Sequence, residues 1–147
     1  MSKVDSAYHL VFATKNRYAT IPAELRRELY KVLYTLLRDD NCHVFRINGT
    51  SNHVHILFNL HPSIALAAMV HKLKTRTSQW MNKDERFRYF DGWCKEYFAE
   101  VVSHDDIPSI TEYIINQEAH HGLKSLEDEL TDFYKHHHWI FLPEYFK

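Results

Sequence analysis

Glycine and proline are scarce in this chain, at three and four of 147 residues. So little of either leaves no material for a long flexible linker, and one domain is expected over 1–147, with a core at about 5–122 and a C-terminal helix and tail at 123–147. Cysteine is scarcer still, with two. No disulfide framework is therefore expected, and Cys42 and Cys94 read as reduced core thiols. No apolar run reaches about 18 residues, which argues against a helical membrane span. The first residues, MSKVDSAYHLVFATKNR, lack the apolar centre of a signal peptide, so a cytoplasmic location is expected. Excess charge is also missing, since the net charge is −1 with histidine neutral. Any nucleic-acid surface must then come from local charge.

Two things are plentiful. Apolar residues make up 45% of the chain, enough for a sizeable core, and histidine occurs twelve times. The segment AYHLVFATK (7–15) is aromatic and β-branched and predicts a strand. Residues 21–40 predict a helix, with Pro22 in its first turn and an apolar stripe of Leu25, Leu29, Val32, Leu33, Leu36 and Leu37. Residues 42–49 predict a second strand, Asn48-Gly49 a turn, and NHVHILFNL (52–60) a third strand antiparallel to the second. A long helix is expected over 62–84, a strand over 93–103, and a helix over 105–122 with Pro108 near its start and Gly122 at its end. Residues 125–138 read as a short acidic helix or loop, followed by a tail. The order is βαββαβ plus further helix. It predicts an α+β, ferredoxin-like (RRM-like) fold: an antiparallel four-stranded sheet, helices on one face, and an extra C-terminal helix bearing Tyr113.

His53 and His55 stand two apart on the third strand. They share a face, about 7 Å apart at the backbone, while Val54, Ile56, Phe58 and Leu60 take the core face. A bare H-x-H pair is a weak signal, and two hydrogen-bonded packing histidines are the ordinary reading. On the last long helix, YIINQEAHH (113–121) sets Tyr113 and Gln117 four apart on one face, bordering Ile107, Ile110 and Ile114. Alone, that too reads as an amphipathic surface.

The ordered set is more specific than its parts. H-hydrophobic-H on a central strand, followed sixty residues later by Y-x-x-x-Q on a helix, resembles the HUH single-tyrosine transposases of the IS200/IS605 insertion sequences. Tyrosine transposases associated with repetitive extragenic palindromes (REP) share the plan. YHLVFATKNR, NHVHILF, LKTRTS and YFAEVVS…ITEYIINQEAHH carry the resemblance over most of the chain. It implies that Tyr113 is the nucleophile for cutting and rejoining single-stranded DNA through a 5′-phosphotyrosine. It also implies that His53, His55 and Gln117 hold Mg²⁺ or Mn²⁺. With no carboxylate in that set, metal affinity without DNA is expected to be modest. The implied ligand is a single-stranded end with a hairpin. The implied assembly is a homodimer whose composite sites take Tyr113 from the partner.

Within that reading, Lys72, Arg76, Gln79 and Lys83 are candidate DNA contacts, because residues 71–88 hold six Lys or Arg against two acids. A solvated helix face is the commoner case for such a run. Lys15 and Arg17 are further candidates, and Tyr18, Tyr89 and Phe90 are candidate stacking platforms for bases. Asn52, His120 and His121 stand near the site as candidate supporting residues. His136, His137 and His138 read as a surface cluster. Two other functions fit parts of the sequence. A zinc hydrolase on the H-x-H pair would need a third protein ligand. An RNA-binding module would need exposed aromatics on the central strands, where His53, His55, Leu57 and Asn59 stand instead.

Overall fold

The computed structural model describes residues 3–121 and 124–146, without the side chains of His120, His121 and Tyr145. The predicted Gly122 helix end lies outside the described residues. Strands β1 (Ala7–Thr14), β2 (His43–Gly49), β3 (His53–Asn59) and β4 (Trp93–Val101) form one sheet in the order β2-β3-β1-β4. Every neighbouring pair is antiparallel. This is the predicted ferredoxin-like arrangement, in an open sheet.

Helices α1 (Arg26–Asp39) and α2 (Leu66–Asn82) cover one face. Leu29, Leu33 and Leu37 recur every four residues, so they align along α1 and are fully buried. They meet Leu10, Phe12, Val54, Ile56 and Phe58 from the central strands, and Met69, Val70, Leu73 and Met81 from α2. Both helices are shorter than predicted. A 3-10 turn at Ala23–Leu25 precedes α1, and Pro22 sits before that turn in extended backbone. Cys42 and Cys94 are buried and unpaired, as expected. Among the described residues, no helix is long and apolar enough to cross a membrane.

The second face is also covered. Helices α3 (Ile107–Ile115), α4 (Gln117–His121) and α5 (Leu126–His136) follow β4. Ile114 packs with Ala7, Leu57 and Val102. Leu126 and Leu130 of α5 pack with Val11, Ala13 and Phe98, joined by Phe146 from the tail. Residues 125–138, expected as an acidic helix or loop, are therefore a structural cover. Ser125 caps α5 by accepting from the Asp128 N–H. With this face occupied, the sheet does not offer the open platform that an RNA-recognition module requires.

The β2–β3 connection differs from the predicted turn. Asn48 and Gly49 belong to β2, and the chain reverses over the next residues, with the Thr50 N–H donating to the His53 carbonyl. Glycine at 49 answers a close approach: a Cβ there would lie 2.2 Å from the His53 backbone oxygen. Gly49→Ala must push β3 aside at the histidine pair. The expected cost is about 2–3 kcal/mol of stability, measured by denaturant unfolding. Asn48 acts at longer range. Its side-chain amide donates to the carbonyls of Ile114 and Ile115 at 3.0 and 3.1 Å, which ties the end of α3 to the sheet.

Candidate metal and nucleophile site

Strand alternation brings His53 and His55 to the second face, in the interior of the molecule, where both are fully buried. The Nδ1 of each ring meets a polar partner and its Nε2 points inward. His53 Nδ1 lies 2.8 Å from Asn52 Oδ1. Asn52 is oriented by its own amide, which donates to the Arg17 carbonyl at 3.1 Å, so its oxygen faces the ring and favours a proton on His53 Nδ1. His53 Nε2 then faces Gln117 Oε1, 3.1 Å away, as acceptor against acceptor, a pair that a bound cation would satisfy. His55 Nδ1 lies 2.8 Å from His9 Nε2, and His55 Nε2 lies 2.8 Å from Glu129 Oε1.

Gln117 and Glu129 close the site from above. Both are buried, and Gln117 Nε2 donates to Glu129 Oε2 at 3.4 Å. The predicted helix over 105–122 is broken at Asn116, whose N–H bonds back to the carbonyls of Glu112 and Ile114. Tyr113 and Gln117 thus sit on two short helices rather than one, yet both still reach the histidines. The Tyr113 ring centroid is 5.9 Å from that of His55, within the same chain. Burial first, and then the charge of Glu129, hold the Tyr113 phenol well above its ordinary range; a hydrogen bond to Glu129 acts in the same direction, while one to Gln117 opposes it.

Ligating atoms of His53, His55 and Glu129 all lie within 4.8 Å of one another. Two imidazole nitrogens and one carboxylate lie together, with the Gln117 amide oxygen beside His53. That donor set fits a divalent cation. The sequence expectation lacked the carboxylate, and Glu129 supplies it. Its signal was present in the sequence: Leu126, Glu129, Leu130 and Phe133 are spaced as a helical core stripe, and a carboxylate within such a stripe needs a buried partner.

The other expected residues divide by position. Lys72, Arg76, Gln79 and Lys83 belong to α2 or its end, on the opposite face of the sheet from His53 and His55. Lys72 is held by Asp40 at 2.7 Å. Lys15 and Arg17 lie beside the site, in a loop tied to His53 through Asn52. Asn16 and Arg17 both adopt left-handed backbone, with φ of 56° and 58°. Holding a non-glycine residue such as Arg17 there costs about 1–2 kcal/mol, so that loop is shaped by its contacts. Lys15 pairs with Asp91 and Arg17 with Glu127. Next to this loop, a cleft of about 390 Å³ is lined by Arg26, Arg86, Arg88, Tyr89 and Ser51. Tyr18 and Tyr89 are exposed, whereas Phe90 is buried in the core and is not available to stack on a base. His120 and His121 lie outside the residues whose side chains are described. His137 of the tail cluster approaches Glu100 at 3.8 Å, and His136 and His138 are exposed.

Comparison with known proteins gives consistent matches. The model of a family described as IS200-like transposase matches residues 2–117. The transposases for insertion sequence element IS200 from Salmonella typhimurium and Salmonella typhi are each 27% identical over 115 residues, covering 75% of this chain and 75% of theirs. Among solved structures, one from Deinococcus radiodurans R1 assigned as a transposase aligns with a TM-score of 0.61 at 23% identity, over 80% of this chain and 95% of that one. A REP-associated tyrosine transposase bound to a REP hairpin aligns with a TM-score of 0.64 at 13% identity, over 84% and 76%. At such identities the two structures support the fold. The family match ends at Gln117, so Glu129 and α5 lie beyond it.

Proposed function

The chain belongs to the IS200-like transposase family, and we propose that it cuts and rejoins single-stranded DNA at insertion-sequence ends, with Tyr113 as nucleophile. The convergence of His53, His55, Gln117 and Glu129 beside Tyr113 carries this reading. In the cut, Tyr113 Oη forms a bond to the phosphorus and the bond from phosphorus to the 3′ oxygen breaks. The products are a 5′-phosphotyrosine and a 3′-hydroxyl. The phenolic proton passes to Glu129, its hydrogen-bond partner, and from there to the leaving 3′ oxygen, which becomes the hydroxyl. A later 3′-hydroxyl reverses the step. The covalent link conserves the phosphodiester, so rejoining needs no ATP.

His53, His55, Glu129 and Gln117 would hold Mg²⁺ or Mn²⁺. The cation supplies positive charge that offsets Glu129 and the scissile phosphate. Asn52 keeps the His53 lone pair inward. Lys15 and Arg17, beside the site, are the favoured phosphate contacts, and the arginine cleft with exposed Tyr89 suits an unpaired strand. By analogy with the REP-bound relative, the ligand is a hairpin end. Lys72, Arg76, Gln79 and Lys83 could reach such a DNA only on the far face of the sheet. We further propose that each chain uses its own Tyr113, whether or not two chains associate as a homodimer, because α3 packs on its own sheet.

The test is incubation of the protein with labelled single-stranded element ends and Mg²⁺, followed by a denaturing gel. A slow, protease-sensitive band is expected, and cleavage without any such adduct sinks the phosphotyrosine route. Metal binding separates the main rival reading, since His53, His55 and Glu129 also make a three-ligand zinc set. Stoichiometric zinc that survives dialysis, with no DNA cleavage, would favour a hydrolase. Glu129→Ala is expected to weaken Mn²⁺ binding by the DNA-free protein at least about tenfold, read by calorimetric titration.

A further inference from the structure

His9 is fully buried on β1 and has no part in the transposase reading so far. The register sets it directly across from Glu100 on β4 and one step diagonally from His55 on β3. Its Nε2 is 2.8 Å from His55 Nδ1, and its Nδ1 is 3.7 Å from a Glu100 carboxylate oxygen. The rings of His9 and His55 are nearly parallel, at 17°, with centroids 5.1 Å apart. Phe133 packs edge-on against His9, which is fully buried.

We propose that His9 and Glu100 form a positioning relay that fixes His55 for cation binding. Donors and acceptors match in one direction along it. An ionised Glu100, within ion-pair range of His9 Nδ1 but beyond hydrogen-bond length, favours a proton on that nitrogen. His9 Nε2 is then a lone pair, and it accepts from a proton on His55 Nδ1. That leaves the His55 Nε2 lone pair directed at the site. Cation binding at His55 Nε2 requires this direction, because the opposite one puts a proton on that nitrogen, 2.8 Å from Glu129 Oε1. Glu100 stays ionised. Burial raises its carboxyl, but its contact with His9 and the nearby His137 outweigh that and hold it below the usual range. His53 receives the same service from Asn52, so both histidines are held at Nδ1, with Nε2 turned toward Gln117 and Glu129. Metal-binding histidines depend on such partners for ring orientation and basicity.

The relay rests on the reading that His53 and His55 bind a divalent cation, and the test separates the two. Mn²⁺ is titrated into the full chain as wild type, His9→Phe, His9→Gln and Glu100→Ala, with thermal unfolding recorded for each. His9→Phe should lose about 10–100-fold in Mn²⁺ affinity while remaining folded. His9→Gln, whose amide oxygen can accept from His55 Nδ1, should recover most of that loss, and Glu100→Ala should show a smaller one. Wild-type affinity in His9→Phe overturns the relay and leaves the cation site standing. No Mn²⁺ binding by the wild type overturns both. If His9→Phe does not fold, unchanged affinity in Glu100→Ala overturns the relay, and a loss there with retention in His9→Gln supports it.

Discussion

Tyr113→Phe should abolish cleavage of single-stranded ends, with a rate loss on the order of 10⁴-fold or more, as for removal of a covalent nucleophile. The substitution removes one oxygen. The ring stays in contact with His55 and Phe133 and keeps its place in the apolar cluster of α3. Folding should therefore survive, and thermal unfolding should shift little. Mn²⁺ binding should also persist, because the ligating set of His53, His55 and Glu129 is intact. The decisive pattern is a folded, cation-binding protein that forms no covalent DNA adduct. If Tyr113→Phe cuts at the wild-type rate, another nucleophile does the chemistry. The wild-type phenol starts from an unfavourable position, held protonated by burial and by Glu129. Cleavage should consequently depend on added divalent cation, and a chelator should stop it.

Parts of this site were legible in the sequence because two periodicities are rigid. Alternation along a strand fixes His53 and His55 on one face whatever packs above them. Helical spacing brings Tyr113 and Gln117 together, and the agreement survives the break at Asn116 because the two short helices continue in sequence with one residue between them. Contacts made between distant segments were not legible. The helical stripe of Leu126, Leu130 and Phe133 marks Glu129 as inward, but its partner, His55, shows only once α5 docks. His9 reads as one residue of a strand until the register sets it between Glu100 and His55. The basic residues of α2 show the same gap. Periodicity reports which residues share a helix face, but the side of the sheet on which that helix lies is decided by the crossover. Here it puts α2 on the face away from the histidines.

Mixing two inactive variants tests where the nucleophile acts, and recovery is expected to be absent. Tyr113→Phe lacks the attacking oxygen and His53→Ala lacks a cation ligand. If each chain uses its own tyrosine, every site in the mixture lacks one or the other, and cleavage stays at the level of the separate variants. If partners exchange tyrosines within a dimer, half of a randomly mixed population is hybrid, and each hybrid has one complete site. Roughly a quarter of all sites would then be active. Against a rate loss of several orders of magnitude, that fraction is easily read. Several contacts favour the first outcome. Asn48 holds the Ile114 and Ile115 carbonyls, Ile114 is buried against the sheet of its own chain, and Gln117 meets both His53 and Glu129. Moving α3 to a partner would break all of these and leave buried polar groups unpaired, at about 1–3 kcal/mol each. A partner's α3 would restore them only by docking in the same geometry. Asn48→Leu separates the cases further. In the own-chain arrangement it loosens the end of α3 and lowers the rate without changing the mixing result. Recovery appearing only in that background would mean that the Asn48 contacts are what keep Tyr113 on its own sheet.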